Sequence, residues 1–352
     1  MNRRDFMKLA AMAGAAAPAA IATGTDATST KAGGRLKICA FADIHFNPGT
    51  WPHGDIEYLE KILARAEAEK TDFTIHLGDF THRTDRQDEL DYIKRYNTFV
   101  QPTYHTLGNH DGERGDGGYR KAMELYGMKS NCYSFDRNGW RFIVADPNYF
   151  LLDDRYVHYE GRNLYAAVKT GRMKSGCCIP PEQVEWIKDT VANSPFPCVF
   201  MSHESIERRW AVTNGPEIRK FFDETNAKTP GKVRLVINGH HHCNHVSVVN
   251  GIVYFDMNSA NYMYFAKTHD RFPKEYIKKA AGATHCIVWN DPLSAIISLD
   301  ENSVKISGSS STYHLGITPE SAGYKPLDEA GRAIVPMISS FEYVASVERY
   351  GQ

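Results

Sequence analysis

The stretch LKICAFADIH, residues 36–45, has the composition of a buried strand that ends in polar side chains. Its apolar run stops at Asp43, and His45 follows two residues later. An apolar run without polar alternation is typical of strands that are covered on both faces, as in α/β sheets. The stretch therefore predicts a buried strand whose carboxyl end presents an acid and an imidazole.

The segments that follow extend this strand into an α/β pattern. They are predicted to form a helix, a strand, a helix and a strand at residues 55–70, 73–79, 88–100 and 102–111. In the first of these helices, Ile56, Leu59, Ile62 and Leu63 form one apolar stripe. Such alternation of strands and helices predicts an α/β sheet with right-handed crossovers.

The second half of the chain is richer in predicted strands. Strands are predicted at 140–146, 197–204, 233–242, 285–290 and 295–307, and a helix at 180–191. Residues 245–257 predict a hairpin, because Asn250 and Gly251 supply the two positive φ angles of a tight turn. This mixture of strands predicts two packed β-sheets rather than one open sheet.

Residues 151–178 are predicted to form a long irregular loop. Loops of this length inside a compact domain are usually functional or mobile. The segment contains five bases that could meet a second phosphate or another anionic group of a ligand: Arg155, Arg162, Lys169, Arg172 and Lys174. The alternative is a solvated surface loop without a role in recognition.

Polar residues that could bind a ligand or take part in catalysis follow the ends of the predicted strands. They are Asp43, His45, Asp79, Asn109, His110, Asp111, His203, His240 and His242. The carboxyl edge of the strands is where ligands bind in α/β sheets. Because alternate residues of an extended chain point to the same side, His240 and His242 are expected to share a target from which His241 points away.

Seven of these residues predict a metal centre, because they combine carboxylates, imidazoles and one amide. They are Asp43, His45, Asp79, Asn109, His203, His240 and His242. Such a mixture of donors suits iron, manganese or zinc. Seven ligands exceed the needs of one tetrahedral ion but suit two divalent or trivalent ions that share a bridging carboxylate.

Five short motifs resemble the ordered motifs of the calcineurin-like metallophosphoesterases. They are Asp43-Ile44-His45, Gly78-Asp79, Gly108-Asn109-His110-Asp111, His203 within MSHE, and Gly239-His240-His241-His242. All five stand in the order of that family, which makes the match specific although each motif alone is weak. The resemblance implies a four-layer α/β/β/α sandwich with two mixed β-sheets, here as a single domain over residues 35–352.

The resemblance also implies a role for each residue. Asp43, His45 and His242 are implied to hold the first ion, Asn109, His203 and His240 the second, and Asp79 to bridge them. His110 is implied to face the substrate as a general acid or a transition-state stabiliser, with Asp111 orienting it. Two such ions lower the pKa of a water between them, so that it attacks phosphorus as metal-bound hydroxide.

Other residues have weaker signals. His76 lies within the second predicted strand and is expected to be a packed core histidine. His82 stands where purple acid phosphatases have an iron-ligating tyrosine, which argues against that branch of the family; it is either a substrate contact or structural. Tyr262 and Tyr264 either line the pocket or belong to the core. The seven cysteines fit neither a zinc ribbon nor a dense disulfide framework, and most are expected to be buried as small apolar residues.

The predicted function is hydrolysis of small-molecule phosphomonoesters or phosphodiesters. A nuclease is the first alternative, but residues 35–352 contain no basic tract, and nucleic acid is not an expected partner. A non-catalytic binding scaffold of the same fold is the second alternative. It is disfavoured because every ligand position of the motifs is occupied.

The amino terminus predicts export. MNRRDFMKLAAMAGAAAPAAIATG begins with Arg3 and Arg4, continues into a short alanine-rich run and ends in small residues. The run is too short to span a bilayer, and residues 1–22 resemble a twin-arginine signal peptide, followed by a linker at 23–34. The expected partner is the twin-arginine export machinery, the expected location is periplasmic or secreted, and no stable membrane anchor is expected. Without residues 1–22, which carry a net +2, the formal charge falls from -1 to -3.

Replacing both arginines by lysine, Arg3→Lys with Arg4→Lys, should leave the folded protein in the cytoplasm, because the pair acts as an address read by a receptor. Fractionation followed by immunoblotting measures the distribution. A conservative pair elsewhere, Lys188→Arg with Lys220→Arg, should be exported as the wild type is. Unchanged export of the first variant would mean that a different pathway handles the chain.

Overall fold

A computed structural model of the chain describes residues 33–46, 56–111, 113, 118–160, 163–208, 211–265, 274–275, 286–328 and 330–345. The predicted signal peptide and most of the predicted linker lie outside these residues. Among the helices that are described, none has the length and apolar character needed to cross a bilayer.

The first half of the described chain alternates strands with helices, as the sequence predicts. Its elements are β1 (Leu36–Phe41), α1 (Ile56–Ala68), β2 (Phe73–His76), α2 (Gln87–Asn97), β3 (Thr103–His105), α3 (Gly118–Leu125), β4 (Tyr133–Arg137) and β5 (Trp140–Val144). The β4–β5 hairpin turns at Asn138 and Gly139, which both have positive φ. The predicted α/β alternation of this half is confirmed.

The remaining elements are mostly strands. They are β6 (Tyr149–Leu152), β7 (Arg155–His158), α4 (Asn163–Lys169), β8 (Met173–Cys178), α5 (Pro181–Ala192), β9 (Cys198–Met201), α6 (Gly215–Lys228), β10 (Val233–Asn238), β11 (His245–Val249), β12 (Ile252–Asp256), β13 (Tyr262–Tyr264), β14 (Cys286–Val288), β15 (Ala295–Leu299), β16 (Ser303–Ser307) and β17 (Phe341–Val344). The predicted hairpin at 245–257 is confirmed, with Asn250 and Gly251 both at positive φ.

Two six-stranded mixed sheets form the centre of the fold. The first has the order β17–β16–β15–β1–β2–β3, in which β1, β2 and β3 are parallel and β15 runs antiparallel to β1. The second has the order β11–β12–β10–β9–β5–β4, with a parallel middle formed by β12, β10, β9 and β5. The strands β15–β17 from the C-terminal part thus complete the sheet that the N-terminal strands begin.

Three apolar clusters separate four layers. The largest lies between the two sheets, a second lies under α5 and α6, and a third lies under α1 and α2. Strand β1 shows how one strand serves two of them: Ile38 and Ala40 face the other sheet, whereas Cys39 and Phe41 face the helices. The predicted four-layer α/β/β/α sandwich is confirmed.

The seven cysteines are all free, and every one except Cys177 is buried. Desolvation raises the pKa of several of their thiols, as for Cys198, whose pKa rises to about 11. They act as small apolar residues, as the sequence analysis expected.

The segment predicted as an irregular loop has regular structure, so that prediction was wrong. Strands β7, β6 and β8 form a small antiparallel sheet, and α4 lies between β7 and β8. Most side chains of β7 and β8 are at least partly exposed, so the strands lack the apolar alternation by which a sequence reveals a sheet. Residues 149–178 are called the insertion below.

Two bases of the insertion pair with acidic neighbours in the same segment. Arg172 pairs with Asp153, and Lys174 lies 2.7 Å from Asp154, both on the exposed hairpin side. Arg155 and Lys169 are exposed, and Arg162 lies outside the described residues. Acidic neighbours in the same segment therefore neutralise two of the bases, and the role of the others in binding an anionic group stays a prediction.

Buried ion pairs fasten the C-terminal segment to the second sheet. Arg208 Nη2 lies 2.5 Å from Asp328 Oδ2, and both side chains are less than a tenth exposed. Arg332 Nη2 lies 2.6 Å from Glu207 Oε2, and Arg332 also pairs with Asp256 at the end of β12. Asp328 and Arg332 are thereby held beside the loop that follows β9 and the end of β12.

The substitution Asp328→Ala leaves the buried guanidinium of Arg208 without its carboxylate partner. We expect the free energy of unfolding to fall by about 3–5 kcal/mol, as for other broken buried pairs. The matched control is Asp291→Ala, which removes the partner of the half-exposed Lys61 and should cost at most about 1 kcal/mol. Urea denaturation measures both, and equal losses would show that the buried pair does not fasten the segment.

Candidate metal centre

The turns after β1, β2, β9 and β10 meet at one edge of the two sheets. The Asp43 amide donates to the Gly78 carbonyl at 3.0 Å, which joins the turns after β1 and β2. The His240 amide donates to Asp43 Oδ2 at 2.8 Å, which joins the first sheet to the second. The carboxyl edge predicted from sequence is therefore the place where the candidate side chains come together.

The backbone at this edge is left-handed rather than extended. Five candidate ligands have positive φ: Asp43 (52°), His45 (47°), Asp79 (59°), His240 (67°) and His242 (48°). They are half of the ten non-glycine residues with positive φ in the described chain. Asp43 and His45 share one cluster, whereas His240 and His242 belong to different clusters, so the prediction of a shared target for those two histidines is corrected. The residues lie in turns just past the strands and not in extended chain. Strained backbone of this kind is concentrated at functional sites.

Two glycines leave room for the candidate ligands. A Cβ on Gly239 would lie 2.5 Å from Asp43 Oδ2, and a Cβ on Gly108 would lie 2.2 Å from Asp79 Oδ1. Real Cβ atoms do not approach oxygen so closely. The glycine in each of these motifs is therefore needed because a carboxylate packs directly against the backbone.

The first cluster consists of Asp43, His45 and His242, which are all buried. Their nitrogen and oxygen donors lie within 4.8 Å of one another. His242 Nε2 is 3.2 Å from Asp43 Oδ1, and His45 Nε2 is 3.9 Å from the same oxygen. His242 Nδ1 donates to the Tyr262 carbonyl at 2.7 Å, so its Nε2 has the free lone pair and faces the cluster.

The second cluster consists of Asp79, His203 and His240. His203 Nε2 lies 3.2 Å from Asp79 Oδ2 and 3.2 Å from His240 Nδ1. His203 Nδ1 donates to the Leu77 carbonyl at 2.7 Å, which fixes the orientation of the ring. Carbonyl partners that hold the outer nitrogen of an imidazole are typical of histidines that bind metal.

Asn109 stands beside the second cluster and lines a cavity together with His240. Its Oδ1 is buried and accepts no hydrogen bond from the described residues, and the same is true of Asp43 Oδ1. Buried oxygens without a donor are costly unless a cation or a ligand satisfies them. The oxygens and imidazole nitrogens at this edge therefore fit a site for metal.

Burial and neighbouring charge set the protonation of the cluster. Burial lowers the pKa of His240 to about 3 and that of His45 well below its usual value, so both rings are neutral and can act as ligands. Burial alone would raise the pKa of Asp79, but the neighbouring His203 and His110 outweigh it and hold that pKa well below normal. Asp79 is therefore an ionised carboxylate in the interior.

His110 has a different partner from the predicted one. Its Nδ1 lies 2.6 Å from Glu113 Oε2, and its side chain is 31% exposed. Burial opposes the charged ring, but Asp79 and Glu113 outweigh it and raise the pKa of His110. Sequence reasoning missed Glu113, although an acid three residues after His110 within one turn is a usable signal.

Asp111 does not orient His110, so that implied role is corrected. Its carboxylate accepts hydrogen bonds from the amides of Asp79, Phe80, Thr81 and Gly108 and from the Tyr126 hydroxyl. Burial and the charge of Asp79 raise its pKa to about 6. Asp111 instead ties the turn that carries Asp79 to the turn that carries Asn109, which is a structural function.

The remaining histidines have different roles, which follow from their neighbours. His76 is buried between Phe41 and Phe80, so the predicted core role is confirmed. His241 belongs to neither cluster, as predicted. His82 Nε2 lies 2.9 Å from His45 Nδ1, and His82 also forms a third group of possible ligands with His110 and Glu113.

Tyr262 lies at the centre, whereas Tyr264 is 58% exposed. The ring of Tyr262 lies 5.1 Å from that of His45 and 4.9 Å from that of His242. Tyr262 also supplies the backbone carbonyl that orients His242. No sequence signal marks this contact, because a carbonyl is present in every residue.

Comparison with known proteins identifies the family that the five motifs resemble. The model of the calcineurin-like phosphoesterase family matches residues 36–244, which is more than half of the chain. No curated protein matches the sequence. Several solved structures match at low identity, and the one below with a TM-score above 0.5 is informative about architecture alone.

One is a dimetal phosphatase from Danio rerio, with 12% identity and a TM-score of 0.56, covering 88% of this chain and 99% of that one. A purple acid phosphatase from yellow lupin has 14% identity and a TM-score of 0.44, covering 90% and 55%. GAP50 of Plasmodium, an anchor in the inner membrane complex, has 11% identity and a TM-score of 0.47, covering 90% of each chain. On the family match and the ligand clusters, the chain belongs to the calcineurin-like phosphoesterase family and is a metal-dependent phosphoric ester hydrolase.

Proposed function

We propose that the chain hydrolyses phosphomonoesters or phosphodiesters of small molecules at a centre of two transition-metal ions. The position of Asp79 carries this proposal. Its Oδ2 lies 3.5 Å from His45 Nε2 in the first cluster and 3.2 Å from His203 Nε2 in the second. A carboxylate oxygen between two clusters is what a pair of ions needs as a bridge.

The ligand assignment follows the two clusters. Asp43, His45 and His242 would hold one ion, Asn109, His203 and His240 the other, and Asp79 both. Iron, manganese and zinc all suit these donors. When bound, the ions supply an activated water as the nucleophile and neutralise the charge on the phosphate oxygens.

His110 is proposed as the general acid of the reaction. Glu113 accepts the proton on Nδ1 of His110, so Nε2 remains for the substrate. The ring is held in place by this hydrogen bond and by its own amide, which donates to Asp79 Oδ1 at 2.7 Å. A partly exposed imidazole with a buried carboxylate behind it can hold a proton and deliver it to a departing oxygen.

A nuclease activity has less support. Residues 35–352 lack basic tracts, and the cavity beside the second cluster has a volume of about 210 Å³, with four tyrosine and phenylalanine side chains among its ten lining residues. Strand-tracking proteins need a positively charged groove along the backbone of the nucleic acid. A small organic phosphate ester is therefore the proposed substrate class.

Export by the twin-arginine machinery to the periplasm or the exterior remains part of the proposal. It rests on Arg3, Arg4 and the apolar run behind them. That route carries folded proteins, which suits a chain that must acquire its metal ions before it leaves the cytoplasm. We likewise propose that residues 35–352 act as one domain, since β15–β17 complete the sheet of β1.

Metal content tests the shared carboxylate. We expect about two ions per wild-type chain. Asp79→Asn should lower occupancy at both positions because it removes the bridge, whereas His203→Ala should empty mainly one. His241→Asn is the matched control, since it changes a histidine of the same motif outside both clusters. Elemental analysis after gel filtration gives the counts, and full occupancy in Asp79→Asn would contradict the bridging assignment.

A leaving-group series tests His110. The substitution His110→Ala should lower kcat/KM by about 10²–10⁴-fold for alkyl phosphate esters, whose alkoxides need a proton. Nitrophenyl esters should lose much less, because nitrophenolate departs without one. Glu113→Gln should show a weaker version of the same dependence.

Asp111→Asn serves as the contrast in this experiment. It weakens acceptors of four backbone amides, so we expect a lower Tm and no dependence of the activity on the leaving group. An equal loss for all esters in His110→Ala, with both ions retained, would reject the acid role and favour electrostatic stabilisation of the transition state.

A further inference from the structure

The outer ring nitrogens of three candidate ligands have partners that fix each imidazole. His203 Nδ1 and His242 Nδ1 each donate to a backbone carbonyl at 2.7 Å. The outer nitrogen of His45 meets a side chain instead, because its Nδ1 lies 2.9 Å from His82 Nε2. Since every residue has a carbonyl, only the contact of His45 depends on which side chain its partner has.

The position of His45 Nε2 decides which nitrogen of that ring carries the proton. This atom lies 3.9 Å from Asp43 Oδ1 and 3.5 Å from Asp79 Oδ2, so it is the nitrogen that faces the first cluster. A neutral imidazole binds metal through the nitrogen that has no proton. As a ligand, His45 must therefore carry its proton on Nδ1, where it needs an acceptor.

His82 can accept this hydrogen bond in only one of its neutral tautomers. Its Nε2 must present a lone pair to His45 Nδ1, which places the proton of the His82 ring on Nδ1. The two ring centroids lie 5.0 Å apart, and the ring planes are inclined at 39°. A member of the first cluster thus depends on the tautomer of a residue outside that cluster.

The backbone around His82 is held on both sides. The Thr81 amide donates to Asp111 Oδ1 at 3.2 Å, and the Arg83 amide donates to Glu89 Oε2 at 2.6 Å. Asp111 and Glu89 are both fully buried. His82 is therefore placed by contacts that involve no member of the two clusters, as the support of a binding site requires.

A separate ion is the main alternative for His82, because it forms the third group of possible ligands with His110 and Glu113. Two nitrogens of this group already have partners: His110 Nδ1 lies 2.6 Å from Glu113 Oε2, and His82 Nε2 contacts His45. An ion bound through these nitrogens would have to replace both hydrogen bonds. The contact with His45 is therefore the better-supported role of His82.

We propose that His82 is a positioning residue for the first ion, which accepts the hydrogen bond from His45 Nδ1 and so keeps His45 Nε2 directed at the first cluster. This inference rests on the metal centre of the proposed function. Loss of the outer partner of a metal-binding histidine typically lowers metal affinity by about 10–100-fold. The loss should fall on the first ion, because His45 belongs to the first cluster alone.

Zinc titration in a His203→Ala background isolates the first cluster, since that substitution should empty mainly the second. His82→Phe keeps a flat ring but removes the acceptor, so it should raise the Kd of the remaining ion by about 10–100-fold. His82→Gln places an oxygen near the position of Nε2 and should recover most of this loss. Competition with a chromophoric chelator measures each Kd.

His241→Gln in the same background is the matched control. It changes a histidine that belongs to neither cluster, so the Kd of the remaining ion should not change. His82 is only partly buried, so His82→Phe should fold with a Tm close to that of the wild type.

The tautomers provide a readout that a merely structural role would not change. Long-range proton–nitrogen NMR correlation on the zinc-loaded wild type, labelled at histidine and kept in a mildly alkaline buffer, identifies the protonated nitrogen of each ring. We expect a proton on Nδ1 of His45 and on Nδ1 of His82, with His82 Nε2 unprotonated.

The outcomes separate this inference from the proposed hydrolysis. A loss in His82→Phe that His82→Gln recovers supports the positioning role, even if no phosphate ester is hydrolysed, in which case the hydrolysis alone fails. An unchanged Kd in His82→Phe, or a proton on His82 Nε2, would overturn the inference and leave the metal centre in place. An equal loss in both His82 variants would overturn it in favour of His82 as a ligand. An equal loss in His241→Gln would overturn it as an effect without specificity.

Discussion

The hydrogen bond from the His240 amide to Asp43 Oδ2 joins the two sheets at the edge where all candidate ligands lie. It needs Gly239, because a Cβ there would lie 2.5 Å from the same oxygen. It also needs a left-handed backbone at Asp43 and at His240. Such conformations persist only where the surrounding structure determines them, and here two six-stranded sheets do so. The sandwich therefore keeps these three left-handed turns, after β1, β2 and β10, in register.

The convergence of these residues was predictable, because the carboxyl ends of neighbouring parallel strands share an edge and the motifs stand directly after strands. The details of the turns were not. Asp111 accepts from four backbone amides, which no spacing of residue types reveals, and Glu113 took the place beside His110. The insertion was also missed, because β7 and β8 are partly exposed and lack a periodic apolar pattern. Local sequence reveals burial better than it reveals backbone hydrogen bonds.

The ligand clusters and the neighbouring cavity are built from different parts of the chain. The motif turns on the sandwich supply the ligand clusters and His110, whereas the insertion supplies aromatic walls beside them. The buried acids near the ligand clusters have different partners. Asp79 is surrounded by imidazoles and Asp111 by backbone amides, whereas Glu204 Oε2 accepts no hydrogen bond from the described residues. Two basic residues of the insertion, Arg172 and Lys174, pair with acidic neighbours in the same segment.

The proposed reaction needs two metal ions, one on each side of Asp79. Anomalous diffraction from crystals of the metal-loaded protein, recorded at the absorption edge of the bound metal, tests this directly. It should give two peaks about 3.5–4 Å apart, one among Asp43, His45 and His242 and one among Asn109, His203 and His240. A single peak, or a peak held by His82, His110 and Glu113 instead, would contradict the two-ion centre.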